Sequence, residues 1–417
     1  MTTAAISMPA PRAAATLERT ALVLLFGVVA ALQWFPALAY ILLTAMFVTW
    51  AAMRVQERTR PAAPAFFLPL AVYGLLTLVA SVFSVDPRES LIDSKQLVLL
   101  AMVPAVYDIA RGSRAASVVD VVISIGAATA VYGIIQYGLL HYDNLGQRPQ
   151  GTLSHYMTYS GVVMLILCAA ASRVVFGTRA RAWPALIMPA LVVALVLTFT
   201  RNAWIGACVA VGLLLVLKDL RLTALLPVVV AVLFVMAPDS FTSRLTSTFN
   251  AQDPANQDRF AMIEIGARMV AADPLTGVGP NMVARVYEQY RPDYAVNQVN
   301  PHLHNVPLQI AAERGLPAVA AWGWFVVALI AALFRMFRSS TTTDTTPTTN
   351  AHEIRDRRGS NHHQRMLAAM ALASTAGMLA DGLFEYNFGD SEFLMLFLVL
   401  ITLPFAAARP DAAPART

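Results

Sequence analysis

The chain has 417 residues, of which 57% are apolar and 13% are charged, with a formal net charge of +5. This composition is typical of a multi-span membrane protein and excludes a soluble enzyme. The two cysteines, Cys168 and Cys208, both lie inside apolar runs, so they indicate neither a disulfide framework nor a thiolate metal site.

Apolar runs separated by charged residues predict an all-α polytopic membrane protein with about 12 transmembrane helices. The first run could be a signal peptide, but a second run follows directly after Trp34-Phe35-Pro36, so we interpret the two runs as a tight hairpin. The predicted spans are residues 21–36, 38–53, 65–84, 96–110, 117–139, 157–176, 184–200, 203–217, 222–237, 316–337, 366–385 and 391–408.

The distribution of Lys and Arg predicts a cytoplasmic N-terminus, because basic residues in short loops are retained on that side. With this orientation, about two thirds of the 30 basic residues lie inside. Most of the remainder fall between Arg201 and Arg314, near a long outside segment. Long loops cross the membrane regardless of charge, so these residues do not alter the predicted orientation.

The spans and loops divide the chain into six parts. The threonine-rich segment 339–365 has almost no apolar residues to bury and is predicted to be a disordered cytoplasmic linker, with His352, His362 and His363 in solvent. The predicted parts are a nine-helix transmembrane region (1–236), a periplasmic loop subdomain with active-site residues (237–315), helix 10 (316–338), the linker (339–365), helices 11 and 12 (366–408) and a cytoplasmic tail (409–417).

The outside segment 237–315 is predicted to form a small helical subdomain on the membrane surface. A helical pattern begins at Arg259 and ends near Pro274, and a glycine-containing turn at 274–280 precedes a second amphipathic piece, Met282 to Tyr290. His302 and His304 follow, at or just before a short amphipathic helix that Gly315 ends. The histidines are therefore expected to face a cleft at the membrane surface.

Arginines on the same outer face complete a candidate site. Arg201 lies between two apolar runs at the predicted bilayer edge, where it is either a headgroup anchor or a bidentate phosphate ligand. Arg259 supplies a second guanidinium. Two arginines and a histidine are the groups needed to cleave a lipid-linked phosphate ester.

Other interpretations of these motifs are weaker. Gly277-Val278-Gly279 lacks the preceding strand and third glycine of a dinucleotide-binding turn. His302 and His304 could bind zinc with Glu313 or Asp293, or could simply form hydrogen bonds in the loop, but no tight ligand cluster supports a metal. We therefore predict neither a metal nor another cofactor, and no nucleic-acid partner.

Five short motifs resemble those of the O-antigen ligase and polymerase superfamily. They are Arg148 to His155, Thr200 to Trp204, Arg259 with Pro274 to Pro280, His304 to Gln309, and Glu313 to Leu316. The resemblance implies a membrane-embedded glycosyltransferase of the C type that uses an undecaprenyl-diphosphate-linked glycan in the bacterial inner membrane, with its active site facing the periplasm. One large outside loop and a chain that ends soon after the twelfth span favour an O-antigen ligase with a lipid A core acceptor. An O-antigen polymerase and a protein O-oligosaccharyltransferase remain alternatives.

The expected reaction is an inverting, metal-independent transfer. No Asp-x-Asp tripeptide is present, so Arg201 and Arg259 are expected to stabilise the departing diphosphate, and His304 to accept the proton of the acceptor hydroxyl. Asp390, Glu392 and Glu385 compete for the role of base, although hydration of an outer turn explains them better. The further candidates for substrate binding are His302, Arg148, Arg291, Gln309 and Arg88.

A transporter with twelve spans is the alternative from another functional class. Transport sites place ionisable residues near the bilayer midplane on broken helices, whereas Asp108, Asp120 and Asp381 lie near span ends. No pair of matching halves is evident in the hydropathy, so the enzyme is the preferred hypothesis.

Overall fold

A computed structural model describes residues 12–178, 181–224, 227, 250, 252–340 and 351–410. Its regular secondary structure is helical, and these ranges contain no strand, which confirms the all-α prediction. Three short 3-10 helices cover Ser94–Ala101, Leu220–Ala224 and Asn387–Gly389. The α-helices are α1 (Arg12–Ala31), α2 (Pro36–Gln56), α3 (Phe67–Val82), α4 (Pro87–Asp93), α5 (Met102–Ile109), α6 (Arg114–Gly138), α7 (Tyr156–Phe176), α8 (Ala182–Leu197), α9 (Arg201–Lys218), α10 (Pro254–Ala272), α11 (Val283–Tyr290), α12 (Val306–Ser339), α13 (Ala351–Asp381) and α14 (Ser391–Ala407).

Six helices of the described chain are long and apolar enough to cross a membrane, so the predicted number of twelve spans is not confirmed. The six are α2, the continuous segment Pro87–Ile109, α6, α7, α9 and α12. Three predicted spans correspond to the shorter apolar helices α3, α8 and α14. The 16 residues of α3 extend over only about 24 Å, less than the ~30 Å of bilayer hydrocarbon. The predicted span 65–84 is longer than α3 because the apolar run includes residues outside the helix. The predicted span 222–237 lies largely outside the described residues.

The helical core is organised around α7, which is almost entirely buried. The Tyr159 hydroxyl donates to the Thr129 carbonyl at 2.8 Å and so joins α7 to α6. On another side, a methyl group at Gly206 of α9 would lie 2.4 Å from the Met164 sulfur and 2.9 Å from the Gly377 carbonyl oxygen. Helices α7, α9 and α13 therefore approach closely at this glycine, near the start of α9.

Part of the predicted disordered linker is helical. Helix α13 begins at Ala351, so residues 351–365 belong to it, whereas residues 341–350 lie outside the described chain. The Arg365 guanidinium lies 4.7 Å from the centroid of the Phe337 ring, which ties this part of α13 to the end of α12. The charged residues before 365 belong to the same helix as the buried segment after it, which low sequence complexity does not reveal.

Helices α10 and α11 form a subdomain with a separate apolar core. Both predicted helical pieces are confirmed, although α10 begins at Pro254, five residues before the predicted start. The residues of the core are Met262, Ile265, Met269, Val278, Met282, Val283, Val286, Tyr287, Leu303 and Ala312.

The glycine turn at 274–280 docks this subdomain onto α12. The amides of Val278 and Gly279 donate to the carbonyls of Ala312 and Glu313 at 2.9 and 3.0 Å. Gly315 interrupts the helical backbone of α12, with a φ of 79°. The backbone amide of the next residue, Leu316, donates to the Pro274 carbonyl at 2.8 Å. A methyl group at Gly315 would lie 2.2 Å from the Leu275 carbonyl oxygen, so the docking requires glycine. The predicted helix stop at Gly315 is thus confirmed.

Candidate active site

His304 is held in an unusual backbone conformation just before α12. Its φ is 47°, in the left-handed region that residues other than glycine seldom adopt. Asn305 caps α12, because its Oδ1 accepts from the Leu308 amide at 2.9 Å while its side-chain amide donates to the Leu383 carbonyl at 3.0 Å. The Val306 amide donates to the Gly382 carbonyl at 2.7 Å. Contacts to the end of α13 therefore fix His304, and such over-determined strain is typical of functional positions.

The imidazole of His304 pairs with the carboxylate of Glu385. His304 Nδ1 lies 2.7 Å from Glu385 Oε2, and both side chains are largely buried. The other carboxylate oxygen accepts from the Tyr386 amide at 3.1 Å. With both of its oxygens occupied, Glu385 is placed to orient His304 and leaves the Nε2 atom available for proton transfer.

The environment shifts the pKa of His304 in the opposite direction to the pKa values of the two neighbouring histidines, His302 and His155. Burial opposes protonation of His304, but the hydrogen bond and the charge of Glu385 outweigh it, so the pKa of His304 is raised above its ordinary value. Burial lowers the pKa values of His302 and His155. Among the three, His304 is consequently the strongest base.

Replacing Glu385 with glutamine is expected to shift the acidic limb of the pH–rate profile to lower pH. A histidine must be neutral to accept a proton, so a reaction rate that depends on His304 as a base should increase as pH rises through a pKa above the ordinary value of 6.5. Removing the carboxylate charge lowers that pKa, while looser orientation of the imidazole lowers the plateau rate. Initial rates across the pH range measure both effects. Glu288→Gln, on the exposed side of α11, should leave the profile unchanged, and an unmoved limb in Glu385→Gln would contradict the pairing.

Arg201 begins α9 and is buried, with 4% of its surface exposed. Its neighbour Asn202 donates to Asp381 at 2.7 Å, and Asn387 donates to the second oxygen of Asp381 at 2.7 Å. The Trp204 indole donates to the Leu195 carbonyl at 3.0 Å. The residues around Arg201 therefore anchor the start of α9 to α13 and to the chain before α14.

A hydrogen bond links Arg201 to α10, the helix that carries Arg259. Arg201 Nη2 donates to Asn256 Oδ1 at 3.4 Å, and Asn256 lies three residues before Arg259, on the same face of that helix. The Arg259 guanidinium lies 5.8 Å from the centroid of the Phe384 ring, next to Glu385, and its positive charge acts on His304. Arg201 is thus hydrogen-bonded to the helix that carries Arg259, and Arg259 lies close enough to His304 for its charge to act on the imidazole.

A cavity of about 640 Å³, here called the histidine cavity, is lined by both members of the His304–Glu385 pair. Among the described residues, neither Arg201 nor Arg259 lines it. Most of its lining comes from the end of α4, from the starts of α7, α12 and α14, and from the loops that precede α12 and α14. The lining side chains with ionisable groups are Asp93, His155, Tyr156, His302, His304, Glu313, Arg314, Glu385, Tyr386 and Asp390.

An apolar groove of about 430 Å³ lies beside the start of α12. It is bounded by α9, α12 and α13, and almost all of its surface is apolar. Val306 and Pro307, directly after the histidine loop, form one end. The residues that line the groove are Val209, Val306, Pro307, Trp322, Ala376, Met378, Leu379, Ala380, Gly382 and Leu383.

The remaining predicted site residues divide into two groups. His302 and Gln309 line the histidine cavity, and Gln309 Oε1 also accepts from the Leu303 amide at 2.7 Å. Arg148 lies at the rim, with its guanidinium 4.2 Å from the centroid of the Tyr156 ring. Arg291 follows α11 and Arg88 is exposed on α4, and neither lines the cavity.

Sequence reasoning gave too little weight to Glu385 and His155. Glu385 had been explained by hydration of an outer turn, although it is 8% exposed and pairs with a histidine 81 positions earlier. His155 caps α7, since its Nδ1 accepts from the Met157 amide at 3.3 Å. The motif that contains His155 was recognisable, but its contribution to the cavity depends on tertiary packing.

Comparison with known families agrees with this geometry. Residues 185–323 match the family model described as O-antigen ligase. The match covers about a third of the chain. The matched segment runs from α8 into α12 and includes Arg201, Arg259 and His304, whereas Glu385 and His155 lie outside it. A search of curated proteins gave no match.

Members of the O-antigen ligase family are glycosyltransferase-like enzymes that act on lipid-linked glycans in a membrane. The domain match and the six apolar helices together indicate a multi-pass membrane protein. Within the described chain, no group of three or more His, Cys, Asp or Glu side chains is arranged to hold a metal ion.

Proposed function

We propose that the protein is an O-antigen ligase that transfers a polysaccharide from undecaprenyl diphosphate to the lipid A core oligosaccharide. The reaction takes place at the periplasmic face of the bacterial inner membrane. The observation that carries this proposal is the His304–Glu385 pair, which lines a large cavity and lies within reach of the positive charge of Arg259.

Arg201 and Arg259 are suited to binding the diphosphate of the donor. Guanidinium groups bind phosphate oxygens through two parallel hydrogen bonds, so Arg201 and Arg259 bind the diphosphate. The apolar groove is lined by Val306, next to the histidine loop, and by Val209 of α9, the helix that Arg201 begins. This groove takes the first isoprene units of the lipid carrier, which places the glycosidic bond beside His304.

The histidine cavity suits the acceptor. In a single displacement the attacking hydroxyl and the departing diphosphate lie on opposite faces of the anomeric carbon. His304 Nε2 accepts the hydroxyl proton as the new bond from oxygen to the anomeric carbon forms. The bond from that carbon to the diphosphate oxygen breaks, and its electron pair leaves with the lipid diphosphate. This reaction inverts the anomeric centre.

The chemistry assigned to the protein requires no metal ion. The charge that develops on the diphosphate is stabilised by fixed guanidinium groups, which is usually the largest contribution to catalysis of such a step. The arginines are held by α9 and α10 before substrate binds, so they need little reorganisation during the reaction.

Deletion of the corresponding gene in the native host tests the proposed function. A strain without the ligase should accumulate polymer on undecaprenyl diphosphate and should display lipid A core without polymer, as seen by a lipopolysaccharide gel and extraction of lipid-linked glycans. Core with a single repeat would instead identify a polymerase. Normal lipopolysaccharide with loss of glycan from proteins would identify an oligosaccharyltransferase.

A further inference from the structure

The histidine cavity is strongly acidic for a site in an enzyme whose donor is an anionic diphosphate. Among the described residues, four carboxylates line it: Asp93, Glu313, Glu385 and Asp390. Among the described lining residues, the positively charged groups are the guanidinium of Arg314, which is always charged, and the histidines, which are charged only when protonated. An anionic group that enters this cavity therefore meets an excess of negative charge.

Three of the four carboxylates already have partners. Glu313 pairs with Arg314 at 2.6 Å, and Glu385 pairs with His304 at 2.7 Å. One oxygen of Asp390 accepts from the Phe393 amide at 3.0 Å and the other from the Thr158 hydroxyl. The Asp93 carboxylate, in contrast, accepts no hydrogen bond from any described residue, although it is partly buried in the cavity wall.

A hydrogen-bond donor lies at the same end of the cavity. Arg314 lines the cavity and is 7% exposed, and its Nη1 donates to Glu313 at 2.6 Å. Asp93 and Arg314 both line the histidine cavity and a small adjoining cavity of about 30 Å³, and their charges interact. A sugar hydroxyl donates one hydrogen bond and accepts others, so it can donate to the Asp93 carboxylate and accept from the Arg314 guanidinium. The Arg314 charge is balanced by Glu313, which leaves Asp93 to set the local sign of charge.

We propose that the histidine cavity selects an acceptor sugar that is neutral or carries an amino group, and that Asp93 is the residue that sets this specificity. The inference rests on the proposed function, because it assigns the cavity to the acceptor. Asp93 accepts a hydrogen bond from a hydroxyl or ammonium group of the acceptor, and it repels a carboxylate or phosphate at the same position.

The test compares three core glycolipids that differ only at the terminal acceptor sugar, which is a neutral hexose, the matching amino sugar or the matching uronic acid. Purified full-length protein is supplied with lipid-linked glycan, and kcat/KM is measured for each acceptor. The wild type should prefer the neutral and amino acceptors to the uronic acid by about tenfold or more. The Asp93→Asn variant should bring the neutral-to-uronic acid ratio close to one.

Glu288→Gln is the matched control. Glu288 is exposed on α11 and does not line the cavity, so its loss should leave the ratio at the wild-type value. Equal wild-type rates with neutral and acidic acceptors would overturn the inference while leaving the proposed function intact, as would an unchanged ratio in Asp93→Asn. Transfer to none of the three acceptors would overturn both. If Asp93→Asn does not fold, the order of the three acceptors with wild-type protein decides the matter.

Discussion

Replacing His304 with asparagine is expected to reduce the rate of glycan transfer by about 100-fold to 10,000-fold, which is the typical contribution of a general base. Asparagine tolerates a positive φ better than most residues, so the substitution removes the base with little added backbone strain at this position. Single-turnover measurements with excess protein over lipid-linked donor report the chemical step directly.

His141→Asn is the matched control for this variant. His141 also has a positive φ, of 60°, but it is exposed and does not line the histidine cavity. Its replacement should leave the transfer rate unchanged. A His304→Asn protein with the wild-type rate would show that another group accepts the proton. The proposal that Glu385 orients a catalytic His304 would then be wrong as well.

Replacing Arg201 with lysine is expected to lower kcat by about 100-fold to 1,000-fold, the range found when one preorganised donor to a developing anion is lost. Lysine keeps the charge but cannot form two parallel hydrogen bonds to a phosphate group. Because Arg201 is buried at the start of α9, no other described side chain of that helix supplies a guanidinium at this point. Steady-state rates at saturating donor measure the effect.

Arg268→Lys provides the comparison for Arg201. Arg268 lies on α10, as Arg259 does, but it is exposed and paired with Glu264. The same change of side chain there should have no effect on transfer. Full activity in Arg201→Lys would exclude bidentate phosphate binding by this residue.

The sequence was informative where a local pattern determines the structure. The helices of the subdomain, the stop at Gly315 and the position of the histidines before α12 all follow from periodicity and glycine placement, and the structure confirms them. The number of membrane spans could not be predicted from such local patterns. An apolar run such as 65–84 counts residues outside α3, and periodicity does not reveal where the helix ends.

The candidate site was only partly predictable for a similar reason. His304, Arg201 and Arg259 belong to short motifs, but the pairing of His304 with Glu385 joins two segments that are 81 residues apart. The acidity of the cavity likewise arises from residues of three separate segments. Arg88 and Arg291 were selected for their charge and predicted outer location alone, and the packing leaves both away from the cavity.

The most direct test of the central claim is transfer by the purified protein in the presence of a metal chelator. The full chain in detergent or lipid discs is mixed with glycan on undecaprenyl diphosphate and with lipid A core, and the products are resolved by gel and mass spectrometry. We expect the glycan to move intact to the core, with inverted anomeric configuration and at the same rate with or without chelator. Activity that disappears on chelation and returns with a divalent ion, or the absence of any transfer to the core, would contradict the account.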